Sequence, residues 1–230
     1  MTVIRLWRTK VRVTQIGEDA LLFVFTPAGA NTVDELIQQN LWQLSAWLEA
    51  RRETLGLVEI VPGMGNLLLR SGLETPLNTL QELVLSYWPD IQSENMEPRH
   101  VEIPVHYGEE FGPDLEAVAA HCGISTHTLI ELHADTHYRV YCLGFQPGFA
   151  YLSGLDPRLH IPRRDTPRIN VPAGSVAIGG AQTAVYPFAS PGGWHLIGRT
   201  DTPLFNPASV QATLLRPGDI VRFVPSGEPT

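Results

Sequence analysis

The chain has 230 residues, 43% of them hydrophobic and 17% charged, with a formal net charge of −8 at pH 7. That length buries one large core or two small ones, and apolar residues spread along the whole chain exclude disorder. No apolar run reaches the roughly 20 residues of a membrane helix, and the start MTVIRLWRTKVRVTQ has no stretch of signal-peptide length. A cytoplasmic protein that meets no membrane is expected. Cys122 and Cys142, the two cysteines, form neither a disulfide framework nor a CxxC zinc pattern. Residues 1–140 carry 9 basic and 19 acidic side chains, whereas residues 141–230 carry 7 and 5, all seven being arginines. Lys10 is the sole lysine, so a Walker A loop is excluded and general nucleic-acid binding is not expected. Any phosphate or carboxylate must be met by arginine or backbone N–H groups.

In chain order, Lys10–Ile16 and Ala20–Thr26 flank Gly17-Glu18-Asp19 and predict a hairpin. Asn31–Thr54 predicts a helix, with Thr32 and Glu35 at capping-box spacing and Val33, Leu36, Ile37, Leu41, Leu44, Trp47 and Leu48 on one face. Leu57–Val61 and Asn66–Arg70 predict short strands around Pro62-Gly63-Met64-Gly65. Thr75-Pro76 places a proline at the first position of a helix running through Leu77–Trp88, and Val101–Val105 is a further strand. From Ala20 the order β-α-β-β-α-β is that of a ferredoxin-like α+β domain, assigned to residues 1–95. Residues 96–230 form the second domain. Pro113–His121 and Ser125–His133, with Gly123 between them, predict a short helical hairpin at 113–134. From Tyr138 onward the chain holds 12 of its 19 prolines, and Tyr138–Leu143, Ser175–Ile178, Thr183–Tyr186, His195–Gly198 and Ile220–Val224 predict the strands of a barrel or sandwich.

Several segments resemble chemical motifs and fail on charge or composition. Leu115–Leu129 has the pattern of a helix-turn-helix, yet residues 113–138 contain no Lys or Arg and four acids, Asp114, Glu116, Glu131 and Asp135, so docking on DNA is not expected. His133 and His137 have a spacing that presents two imidazoles to one metal, with His121 and His127 nearby. No HExxH and no third ligand accompany them, so surface or capping histidines are expected and no metal. Cys142, within Tyr-Cys-Leu-Gly-Phe, predicts a buried, inert thiol.

The C-terminal half differs in kind. Gly144–Tyr151 packs aromatic residues between glycines and a proline, a rigid loop suited to a small planar ligand. Pro162–Arg168 sets three arginines within six residues, and Gly/Pro turns surround Gln182, His195 and Arg199. Together these predict an anion-tolerant pocket.

GFQPGFAYL (144–152), PRRDTPR (162–168), VPAGSVAIGGAQTAVYP (171–187), SPGGWHLIGRT (190–200) and LLRPGDIVRF (214–223) closely resemble the family of 5-oxoprolinase B subunits, also called KipI-like or allophanate hydrolase subunit 1. VPGMGN (61–66) and residues 103–125 are similar to the family as well. The resemblance implies a ferredoxin-like N-terminal domain, a cyclophilin-like β-barrel at the C-terminus, and work alongside the C-type and A-type 5-oxoprolinase proteins. It implies ATP-dependent cleavage of a small lactam, 5-oxo-L-proline, to L-glutamate, with ATP and Mg2+ shared with the partner and the isolated chain inactive. The alternatives it carries are inhibition of a sensor histidine kinase and a role within a urea- or allophanate-type amide hydrolase. Within the matched motifs, residue chemistry assigns catalytic roles to Arg168, Gln182 and Arg199. Phe145, Gly148, Phe149, Tyr151, Tyr186, Gly192 and His195 are assigned to substrate binding. Ala184 stands where the family commonly has glycine, which would alter a tight turn, and Ala150 where proline is common.

Overall fold

The computed structural model describes residues 2–6, 9–27, 34–91 and 98–227. The chain divides into two compact units, Met1–Glu97 and Pro98–Thr230. In the first, β1 (Thr2–Leu6), β2 (Thr9–Ile16), β3 (Ala20–Pro27), β4 (Leu57–Pro62) and β5 (Asn66–Ser71) form an antiparallel sheet in the order β1-β2-β3-β5-β4. The expected hairpin is present, with Ile16 opposite Ala20. Alternation buries Val11 and Val13 on β2 and leaves Lys10 and Arg12 exposed. Helix α1 (Glu35–Glu49) and helix α2 (Leu77–Tyr87) complete the core, in which Phe25 stacks on Trp88 with ring centroids 4.0 Å apart.

Expectations about the helix ends are corrected. The N-cap of α1 is Asp34, whose carboxylate accepts from the Leu36 N–H at 2.7 Å; Thr32 lies outside the described residues. The helix stops at Glu49 rather than Thr54: beyond Ala50 the backbone bonds tighten to i→i−3, from the Arg51 N–H to Leu48 and the Arg52 N–H to Glu49, and Arg52 Nη1 donates to the Val58 carbonyl on β4. Pro76 is the N-cap of α2 rather than its first residue. The VPGMGN motif has a structural use: buried Gln38 donates to the Gly63 carbonyl and accepts from the Gly65 N–H, holding the turn between β4 and β5.

The expected fourth strand of that sheet is not in it. Residues 101–105 belong to β6 (His100–Tyr107), which joins the second unit. The reason is burial: Ile103 and Val105 enter the second unit's core, and β6 runs parallel to the last strand, residues 220–225, over its length.

The remaining strands of the second unit are β7 (Tyr138–Leu143), β8 (Ala150–Ser153), β9 (Arg168–Val171), β10 (Ser175–Gly179), β11 (Gln182–Val185), β12 (Ser190–Gly192), β13 (His195–Arg199) and β14 (Ile220–Pro225). Six of them close with β6 into a seven-stranded barrel in the order β10-β11-β8-β7-β14-β6-β13, and β9 and β12 pair as a two-stranded ribbon outside it. The turn between β10 and β11 falls at Gly180-Ala181, so Ala184 is not in a turn but mid-strand opposite Ala177. The helical hairpin is α3 (Leu115–Cys122) and α4 (Thr126–Ala134), with Ser125 capping the second helix. Among the described residues no helix is long and apolar enough to cross a membrane.

His133, expected at the surface or as a cap, is instead fully buried against Phe223. Its neighbours fix its tautomer. The Thr183 hydroxyl donates to the Ala177 carbonyl at 3.0 Å, so Thr183 Oγ1 accepts from His133 Nε2 at 2.8 Å. His133 Nδ1 then accepts from the Tyr107 hydroxyl at 2.7 Å. Burial lowers the imidazole to about 3, and the neutral ring is what this chain of donors requires. An unfolded histidine binds its proton near pH 6.5, so between that pH and about 3 the unfolded chain holds one more proton than the folded one at this site. Stability is therefore expected to fall with acid, by about 1.4 kcal/mol per pH unit from this group. Denaturant titrations at pH 7 and pH 5 check it: His133→Gln is less stable at pH 7 but loses less on acidification.

Candidate functional site

Strands β8, β10, β11 and β13 have both faces covered. On one face Val176, Ile178, Val185 and Leu152 join the main core of the second unit. On the other, Ala177, Ala184 and Leu196 lie under Phe149, Tyr186 and Trp194, with Tyr151 packed alongside. Small residues occupy the strands there because large rings lie over them. Gly179 gives the clearest case: a Cβ on it would sit 2.5 Å from the Trp194 ring. Phe149 is the hub, with ring centroids 5.0 Å from Tyr151, 5.4 Å from Tyr186, 5.9 Å from Trp194 and 5.3 Å from Phe145, each in edge contact.

The structure thus brings Phe145, Phe149, Tyr151 and Tyr186 together. Phe145 is 60% exposed and holds φ of +65°, a conformation costly for a bulky residue, at the outer edge of the group. Gly148 and Gly192 make their close approaches to the protein's own chain. Gly148, at φ +83°, leaves room for the Leu204 carbonyl and Phe205; a Cβ on Gly192 would lie 2.5 Å from the Tyr186 hydroxyl. Burial pushes the phenols of Tyr151 and Tyr186 above their usual value, so both are hydroxyl donors and not bases at neutral pH. Cys142 is buried on β7 and burial raises its thiol to about 11, as an inert side chain requires.

Gln182 leaves β11 on the aromatic face, since its strand partner Gly179 points there. Its Nε2 is buried without a hydrogen-bond partner among the described residues, as are Gln146 Oε1 and Arg164 Nε. His195 Nε2 donates to the Pro162 carbonyl at 2.9 Å, tying the arginine-rich segment to β13. Arg199 is exposed at the last position of β13.

Arg168 has a buried counterion that sequence reasoning missed. Its Nη1 and Nη2 donate to the two oxygens of Asp114 at 2.8 and 2.7 Å, Arg164 Nη1 adds a bond at 3.2 Å, and the Leu196 N–H one at 2.7 Å. The Asp114 backbone N–H in turn donates to the Leu196 carbonyl. Burial pushes this carboxyl up, but the Arg168 and Leu196 hydrogen bonds and the two guanidinium charges together hold it below the usual range. Asp114 precedes α3 yet does not cap it with its side chain; the carboxylate serves the arginines instead. Three arginines within six residues, beside a single nearby acid, were the available signal. Trp194 also belongs to the aromatic group, and the Arg163 guanidinium lies 5.5 Å from its ring centroid; neither stands out in the sequence from the motif around it.

Asp114→Asn should therefore free both arginines and cost about 3 kcal/mol, because a paired, buried group is left half-matched. The check is a thermal melt together with limited trypsin digestion, in which cleavage after Arg163 and Arg164 becomes fast in the variant.

The family model described as "Carboxyltransferase domain, subdomain C and D" matches residues 11–215. A protein of Escherichia coli O157:H7, named as the B subunit of 5-oxoprolinase, is 46% identical over 95% of this chain and 98% of its own. One of the same name from Bacillus subtilis is 37% identical over 94% and 92%. The crystal structure of a protein named TTHA0988 aligns with a TM-score of 0.77 at 37% identity, covering 92% of this chain; the chain spans 40% of that protein's length. Matched end to end by relatives of one name, and over most of its length by one domain model, the chain belongs to the family of 5-oxoprolinase B subunits.

Proposed function

We propose that this chain is the lactam-binding subunit of an ATP-dependent 5-oxoprolinase, working in the cytoplasm with A-type and C-type partners. The observation that carries the reading is an aromatic face onto which β11 directs Gln182, whose Nε2 is buried without a hydrogen-bond partner among the described residues. A lactam is a small, nearly planar ring whose edge presents one carbonyl acceptor and one N–H donor. It can lie against the exposed Phe145 and the half-buried Tyr151, at the rim of the aromatic group, and its carbonyl can accept from Gln182, replacing the penalty of a buried unpaired donor with a hydrogen bond. In this reading Gln182 polarises the ring carbonyl, and the Tyr151 hydroxyl, held protonated, is a second donor to charge that develops there.

Opening an unreactive amide is made favourable by ATP hydrolysis. A triphosphate needs several unspent cations, and with Arg164 and Arg168 engaged on Asp114 the matched motifs at 144–200 leave only Arg163 and Arg199 exposed. Two separate guanidinium groups fit a nucleotide poorly, so we assign ATP and Mg2+ to the partner proteins, and the isolated chain is inactive. Arg168 then positions the β9 segment and does not meet substrate. The N-terminal unit is proposed to be a variant of the ferredoxin-like order, with β2 in the place of the fourth strand, and the barrel to be cyclophilin-like.

Glutamate release from 5-oxoproline, by the chain mixed with its A-type and C-type partners, tests the proposal. Release is expected only with ATP and all three proteins, and absence of release from folded, associated partners would reject it. Gln182→Ala should lower kcat/KM by about ten- to a hundredfold while leaving the melting temperature unchanged or higher, since an unpaired buried amide is removed.

A further inference from the structure

The geometry points to Arg163 as the group that recognises the substrate's carboxylate, an assignment that rests on the lactam reading above. Four arginines stand near the aromatic face or on its strands. Arg168 commits both terminal nitrogens and Arg164 one to Asp114, and of the two that remain exposed Arg199 ends β13 while Arg163 stands at the rings themselves, close enough for its charge to act on the Tyr151 and Tyr186 phenols. Arg163 is exposed, lies over the Trp194 ring, and has no carboxylate partner among the described residues.

Its backbone is fixed on both sides. The Pro162 carbonyl accepts from His195 Nε2, and the Arg164 N–H donates to the Gly193 carbonyl at 2.8 Å. The residue between two pinned neighbours is the one whose side chain is unspent. Its platform is fixed as well: Trp194 is 5% exposed, packs onto the backbone at Gly179, and meets Tyr151 with centroids 6.3 Å apart. Contact with a ring face leaves the N–H edges of a guanidinium directed outward in its own plane, the arrangement that forks a carboxylate with two parallel bonds. A lactam ring seated against Phe145 and Tyr151 with its carbonyl toward Gln182 has its carboxylate within the reach of Arg163, whose charge already acts on the Tyr151 phenol. The ligand class this selects is a cyclic amide bearing one anionic substituent.

The test uses the reconstituted three-protein complex with Arg163→Met and Arg163→Lys, reading kcat and KM for 5-oxoproline and the inhibition constant of its uncharged carboxamide analogue. Arg163→Met should raise KM about ten- to a hundredfold with kcat within about threefold, and leave inhibition by the uncharged analogue unchanged. Arg163→Lys should recover part of the loss, because it restores the charge and not the fork. An unchanged KM in Arg163→Met, or equal weakening of both ligands, would overturn the assignment; equal weakening would mean that Arg163 merely steadies Trp194. A wild-type complex that releases no glutamate would instead overturn the lactam reading and this assignment with it.

Discussion

A carboxylate taken out of water must be met by donors, and at Asp114 that demand organises one side of the second unit. Two guanidinium groups, from Arg164 and Arg168, converge with a backbone N–H of β13 on two oxygens. The start of α3, the arginine-rich segment and β13 are held at one point, although they are far apart in sequence. The exchange of two cations for one anion leaves a positive remainder beside the aromatic rings. Any ligand settling there meets a site already biased toward negative charge, and one whose cations differ in how far they are committed.

The same strands divide their residues between two tasks. Branched aliphatic side chains face the main core, while alanine and glycine face the rings, so the aromatic group rests close on the backbone of the sheet. Thr183 connects the two faces. Its side chain lies on the core side, bonded to His133, while its hydroxyl donates to Ala177, whose own methyl lies under the rings. A neutral buried imidazole thus helps set the backbone on which the aromatic face is laid down. The cost is sensitivity to acid, since a protonated ring could no longer accept from Tyr107.

Much of this was legible in the residues because it depends on local pattern. The hairpin at 10–26, the strands at 57–62 and 66–71, and the helical pair around Gly123 each follow from alternation, periodicity and turn chemistry within a few residues. Strands β8, β9 and β12 were missed; they are three or four residues long and broken by glycine and proline, too short for a period to register. The partner of β6 was also out of reach. The motif 101–105 reads as a strand in any sheet, and only burial beside β14, about 120 residues later, decides which. Phe145, Phe149, Tyr151 and Tyr186 were legible as a group because they crowd Gly/Pro turns. Asp114 was read as one acid of a would-be recognition helix, since nothing local reveals that its counterions lie 50 and 54 residues on.

The parallel pairing of β6 with β14 sets an order of events during synthesis. The first unit contains all its own strand partners and can fold as soon as it leaves the ribosome. The barrel cannot: β6 emerges early but its long partner is residues 220–225, so one edge waits unpaired until nearly the whole second unit has been made. During that interval Val101, Ile103 and Val105 present a strand edge that another chain could capture.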